Sequence, residues 1–458
     1  MRARLVALSI VVVGVLLLGA RRSVAQVRTE SVDTDDAEVV GSSETLISLF
    51  RRALSPGPAG SLVETETAAP VYEYVSVHAR RIDVGGARDA LSFEASAWAR
   101  AWPTDTRVEQ PLDGDVQTAF ATLVVGRYTA RLGRQQVTGG AARFTRFDGL
   151  LLTSRLPAGF DASAYAGLTV LPRWDARPGY HHLGAEADNL LREPDAAPEP
   201  ERAGHWLAGA KLGYSSGPIS ASASFHEQRT AGDLARRNVG VDARARGSFA
   251  SLNLSTILDT DSLRLADARV WADVSALSRG SFSLEYLHTE PAQWLSRQSV
   301  LSVFSSDRVD ETGASAGWDF SRALRLEGAG FFSIYDEGSP GGRLETSARL
   351  AADRRTLLRL SYVRLLAPHN GYHSLRASLA RRLLNRTTGT LEAYGYFYDA
   401  AIRSYRSSSV YAATLAQRFS TPWELLLGGS LARTPYAGVD LQALARLTYS
   451  FDAAGAGR

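Results

Sequence analysis

The sequence predicts an all-β fold: a closed, antiparallel, up-and-down transmembrane β-barrel of about 20 strands, roughly 18 to 22. Three observations point there. Apolar residues recur with a period of two from Val71 to Phe451, tight turns alternate with longer connections, and a secretory leader precedes both. A composition of 45% apolar and 22% charged residues belongs to a folded chain rather than a disordered one.

The leader comes first. Arg2 and Arg4 precede an apolar run from Leu5 to Ala20, and the small residues Ser23 and Ala25 follow, which predicts a signal peptide over residues 1–25 cleaved after Ala25. The run is short for a spanning helix, which needs about 20 residues. The chain has no cysteine, which excludes a disulfide scaffold and a lipid-modified N-terminal cysteine. The leader holds four arginines and no acid, so 47 bases face 48 acids in the remainder. The basic pI is therefore no argument for nucleic acid as a partner, and none is expected.

Residues 26–70 are expected to form a periplasmic N-terminal segment. Within it, "SSETLISLFRRALSPGPAG" has helical spacing, with Ser42 or Ser43 as N-cap and a Pro-Gly stop, and predicts one short amphipathic helix. The barrel is expected over 71–451, with 452–458 as a C-terminal tail. The last strand shows the pattern: Val439, Leu441, Ala443, Ala445, Leu447, Tyr449 and Phe451 share one face, while Asp440, Gln442, Leu444, Arg446, Thr448 and Ser450 share the other, mostly polar one. "LSFEASAWAR", "ISASASF" and "RLETSARLAAD" alternate in the same way. Tight turns fall near Gly126, Ala158, Ser216, Gly247, Arg279, Arg322, Arg354, Arg386 and Thr421, and they predict the periplasmic side. The other connections are more varied, from "TGGAARFTR" to the acidic, Pro-rich "GYHHLGAEADNLLREPDAAPEPE" and the apolar "PAQWLSRQSVLSVF".

The two faces argue for lipid outside and water inside. The apolar face is nearly free of charge along mid-strand and carries rings such as Trp206, Tyr214, Trp423 and Tyr449 toward strand ends, as interfacial belts require. The opposite face is charged with both signs. Arg100, Arg131, Gln135, Asp148, Arg244, Asp267, Arg269, Asp273, Glu285, Arg325, Glu327, Arg349, Arg359, Arg376, Glu392 and Arg446 are the expected pore-lining residues.

One stretch, "LGRQQVTGGAARFTRFDGLLL" (132–152), invites other readings. Its glycines do not open a helix, so it is no phosphate loop, and it lacks the GxSxG spacing of a nucleophile elbow. It reads as two strands around an outward loop, with Leu132, Leu150 and Leu152 toward lipid and Arg143 and Arg146 near the mouth. "GRQ", a Gly-containing loop and "RFDGL" resemble a hairpin of Gram-negative outer-membrane barrels of the porin-like and alginate-export type. That resemblance implies location in the cell outer membrane of a Gram-negative bacterium. It also implies contact with its lipid and lipopolysaccharide, and insertion by the barrel-assembly machinery. The tail "DAAGAGR" after Phe451 departs from the terminal aromatic common in such barrels.

The expected function is a porin-like channel for passive diffusion of small hydrophilic solutes through the charged lumen, without enzymatic activity, cofactor or metal. The alternatives are a non-transporting scaffold or surface receptor, an outer-membrane hydrolase, and an energy-coupled transporter. A hydrolase would need a histidine beside a nucleophile, with His288, His369 and His373 as candidates. Energy-coupled uptake would need a plug domain, and about 45 residues between Ala25 and Val71 are few for one.

Overall fold

The computed structural model describes residues 38–55, 64–84, 87–101, 112–170, 204–274, 278–290, 308–368, 370–402, 404–419, 422–434 and 438–452. The leader, the two longest loop sequences, His369 and the tail after Asp452 lie outside them. Twenty-three strands are described. The first six are β1 (Glu38–Ser55), β2 (Glu64–Ala68), β3 (Val71–Val84), β4 (Ala87–Ala101), β5 (Leu112–Val125) and β6 (Tyr128–Gly139). Next come β7 (Arg143–Arg155), β8 (Phe160–Thr169), β9 (Trp206–Ser216), β10 (Ile219–Thr230), β11 (Asp233–Arg246) and β12 (Ala250–Asp259). Then follow β13 (Arg264–Val274), β14 (Gly280–Thr289), β15 (Val309–Asp319), β16 (Leu324–Tyr335), β17 (Pro340–Ala351) and β18 (Thr356–Leu366). The last five are β19 (Tyr372–Leu384), β20 (Thr387–Ile402), β21 (Tyr405–Arg418), β22 (Trp423–Thr434) and β23 (Gly438–Asp452).

Each of β3 to β22 pairs antiparallel with the next, and β1 closes the ring by pairing with both β23 and β3. The result is a closed barrel of 22 strands, with β2 outside the ring as the partner of the distal end of β1. Closure matters because lipid cannot hydrogen-bond an open strand edge. The expected tight turns that fall on described residues lie at one end of the barrel, where β1 starts and β23 stops. At one of them, between β17 and β18, Asp353 accepts the Arg355 backbone N–H (2.6 Å) and the Thr356 hydroxyl (3.2 Å). The first of these bonds, above all, holds its carboxyl below the usual carboxylate range.

The segment expected to be helical is the first strand of the wall. Leu46, Leu49, Phe50 and Leu54 satisfy a helical spacing, but Glu44, Leu46 and Ser48 face inward while Thr45, Ile47 and Leu49 face outward. Ladder bonds to two neighbours outweigh a weak local helix preference, and the barrel therefore starts at Glu38 rather than Val71. Leu46 packs with Tyr72, Tyr74 and Trp98 on the inner side of this closing sector.

Outside, Leu212, Leu252, Leu284, Leu344, Leu360, Leu375, Leu391 and Leu431 stand exposed on strands spread around the barrel. A charge at their level would cost about 2–4 kcal/mol in lipid. Trp423 and Tyr449 sit ring to ring (4.6 Å) near the tight-turn end, as the sequence suggested. An apolar outer belt on a closed barrel places the chain in the outer membrane of a Gram-negative cell.

Candidate pore lining and constriction

The hairpin β6–β7 departs from the outward loop expected for it. Ladder pairing between β5 and β6 stops at Ala119 and Arg134, while β6 and β7 stay paired up to Gly139 and Arg143. The freed tip, a single 3-10 turn over Gly140–Ala142, lies against the inner wall several strands away. Ala141 N–H donates to Ser224 Oγ on β10 (2.8 Å), Arg236 on β11 donates to Thr145 Oγ1 (3.1 Å), and Arg143 pairs with Asp267 on β13 (3.3 Å). Ser224, Asp267 and Gly240 all point into the lumen by strand alternation, so the tip is inside the barrel. Its small residues make this possible. Gly139 and Gly140 take φ of 82° and 56°, and a side chain at Gly240 would meet the Ala141 nitrogen at 2.7 Å.

Beneath the tip one sector of the lumen is filled. Phe147 is fully buried against Tyr165, Leu207 and Ala142. His226, also fully buried, is held between the Tyr165 hydroxyl at Nδ1 (2.9 Å) and the Arg236 guanidinium at Nε2 (2.9 Å). Arginine can only donate, so Nε2 accepts and Nδ1 carries the proton toward the tyrosine oxygen. Where β5 and β6 part, side chains replace the ladder. Arg134 grips Asp148 with two bonds (2.8 and 3.0 Å) and reaches Asp115 and the Val116 carbonyl (both 3.0 Å), while Arg146 binds the second Asp115 oxygen (3.1 Å).

Two expected pore residues change role here. Gln135 points inward but is fully buried under the tip, its amide donating to the Arg131 and Gly149 carbonyls (3.2 and 2.9 Å), so it meets no lumen water. Asp148 has the same parity as Leu150 and Leu152 and sits opposite Leu168, which is 48% exposed on the outer face. Its strand position is therefore outward, and the bidentate bond to Arg134 neutralises it there.

Strand alternation sets the others inward. Arg100 lies over Trp98 (6.0 Å) and Arg131 over Phe120 (4.4 Å). Arg269 pairs with Glu285 (2.7 Å) and covers Trp271 (5.0 Å), and Asp273 accepts from Ser251 (3.4 Å). Arg325 bridges Glu327 (2.6 Å) and Asp319 (3.2 Å), and it stands in register with Arg349 and Arg359. Arg376 pairs with Glu392 (3.4 Å), and Arg446 sits between Glu424 (3.7 Å) and Glu44 (4.0 Å). Arg244 is inward and exposed. The sequence reading missed Arg134, Asp115 and Arg236, which depend on where the hairpin goes, and it set Arg143 near the mouth rather than against Asp267. It also missed the triad Glu311, Arg343 and Glu345 (3.0 and 3.1 Å), whose period-two placement on β15 and β17 was available.

Of the candidate histidines, His288 and His373 lie among the described residues. His288 is engaged on both nitrogens, by Asp310 (2.8 Å) and the Leu265 carbonyl (3.0 Å), and its strand position is outward. His373, also outward, bonds the Tyr362 hydroxyl (2.7 Å). Among the described residues no group of three metal-ligating side chains occurs.

No family model matches the chain, and no curated protein does. Solved structures of similar extent include the outer membrane protein OpdK of Pseudomonas aeruginosa. It is 9% identical with a TM-score of 0.44, and the match covers 91% of this chain and 99% of that one. OccAB4 of Acinetobacter baumannii is likewise 9% identical, with a TM-score of 0.41 and coverage of 91% and 98%. The PapC translocation pore of the P pilus usher is 9% identical, with a TM-score of 0.43 and coverage of 90% and 100%. The described barrel resembles these outer-membrane barrels in extent only.

Proposed function

We propose that the barrel is a porin-like channel for passive diffusion of small hydrophilic solutes, non-enzymatic, with the tip of β6–β7 as its constriction. Kinship with porin-like or alginate-export-type barrels belongs to the same reading. The observation that carries it is the wall itself. Acids and bases lie side by side along the inner wall of a lumen too wide for side chains alone to fill, and the inward tip narrows it from one side. Opposed charges in a confined aqueous path orient a polar solute and disfavour an apolar one. Lipid, lipopolysaccharide and the assembly machinery would be its partners on the outer face. The filled sector beneath the tip favours one competing reading, a sealed scaffold or receptor.

Liposome swelling separates the two. Vesicles carrying the purified protein should swell in isosmotic small sugars or amino acids, more slowly as solute size rises. Swelling no faster than protein-free vesicles for the smallest solute would count against a channel.

A further inference from the structure

The channel reading leaves one feature of the wall unexplained. On β20, Tyr394, Tyr396 and Tyr398 all point inward, while Leu391 and Phe397 between and below them stand exposed on the lipid face. Rings two residues apart on a strand are about 6.8 Å apart, so the three span about 13 Å along the wall. The neighbouring strand adds Tyr372, in register with Tyr398 and 5.2 Å ring to ring from Tyr396. The hydroxyls are tied to the wall rather than to the lumen: Tyr394 donates to Glu392 (2.8 Å) and Tyr398 bonds Ser408 (2.7 Å). Tyr396, Tyr398 and Tyr372 are only half-buried, so they keep accessible surface.

Charged pairs flank this ladder. Arg376 lies over the Tyr394 ring (4.6 Å) and pairs with Glu392. Arg343 lies over Phe331 (4.5 Å) and is bracketed by Glu311 and Glu345 on the same inner wall. A wall that only needed to be wet would not carry a run of rings, and a wall built for an apolar solute would not set ion pairs beside them. Rings that take the C–H face of a pyranose, next to carboxylate and guanidinium groups that take its hydroxyls two at a time, suit one chemistry. Resting on the channel reading, we infer that β19–β20 form a sliding surface for a short oligosaccharide of pyranose units.

The test uses maltotriose as probe on the full-length protein in planar bilayers. Maltotriose added to the outer side should block the ion current in a concentration-dependent way. Tyr396→Ala and Tyr372→Ala should each weaken that block by about tenfold. Phe397→Ala, on the lipid face of the same strand, should leave it unchanged. Open channels without block, or block equal in all four proteins, would overturn the sugar surface while leaving the channel intact. Should the barrel carry no current, calorimetric titration of maltotriose into the detergent-solubilised protein reads the same surface. Binding lost in Tyr396→Ala supports it, and no binding overturns it.

Discussion

Deleting Gly139–Ala142 should raise the single-channel conductance at least about twofold, because the residues removed are those that stand inside the lumen against β10. A gentler version is Gly240→Val. A Cβ there meets the Ala141 nitrogen at 2.7 Å, the Gly140 carbonyl carbon at 3.1 Å and Ser224 Oγ at 2.8 Å. The first two are backbone atoms that cannot rotate away, so the tip itself must shift. Valine suits a strand, and β11 keeps its ladder to β10 and β12, so the barrel should still form. The expected pattern is larger, noisier conductance with unaltered heat-modifiable migration on a gel. Conductance unchanged in both variants would mean that the tip does not lie at the narrowest point.

Leu46→Pro should prevent the barrel from closing. Residue 46 lies within the part of β1 that pairs with β23 on one side and β3 on the other. Proline removes a ladder N–H and its ring disturbs the pleat, a loss of about 3 kcal/mol or more before the exposed edge is counted. Refolding into vesicles should then yield no heat-modifiable band, whereas Leu46→Val should restore it. Were residues 42–55 an independent periplasmic helix, the proline variant would fold its barrel normally.

That second case shows where the sequence was and was not legible. Period-two alternation and the tight turns at Gly126, Ser216, Gly247 and Arg386 are local, and they carried the barrel. Strand β1 was not legible because Leu46, Leu49, Phe50 and Leu54 fit a helix as well as Thr45, Ile47 and Leu49 fit a strand, and only partners far along the chain decide between them. Asp148 was misplaced although the parity of Leu150 and Leu152 already set it outward. The constriction has no local signature of its own. Gly139, Gly140, Ala141 and Ala142 permit close approach, but the small partners that accept it, Ser224 and Gly240, lie far along the chain, and contacts of that kind come from closure rather than pattern.

The central claim, an open and charge-lined lumen, is tested most directly by planar-bilayer recording of the wild-type protein at defined salt. The wall of paired acids and bases around a partly occupied lumen predicts discrete, uniform conductance steps. A protein that inserts, shows heat-modifiable migration and leaves the bilayer electrically sealed would contradict it.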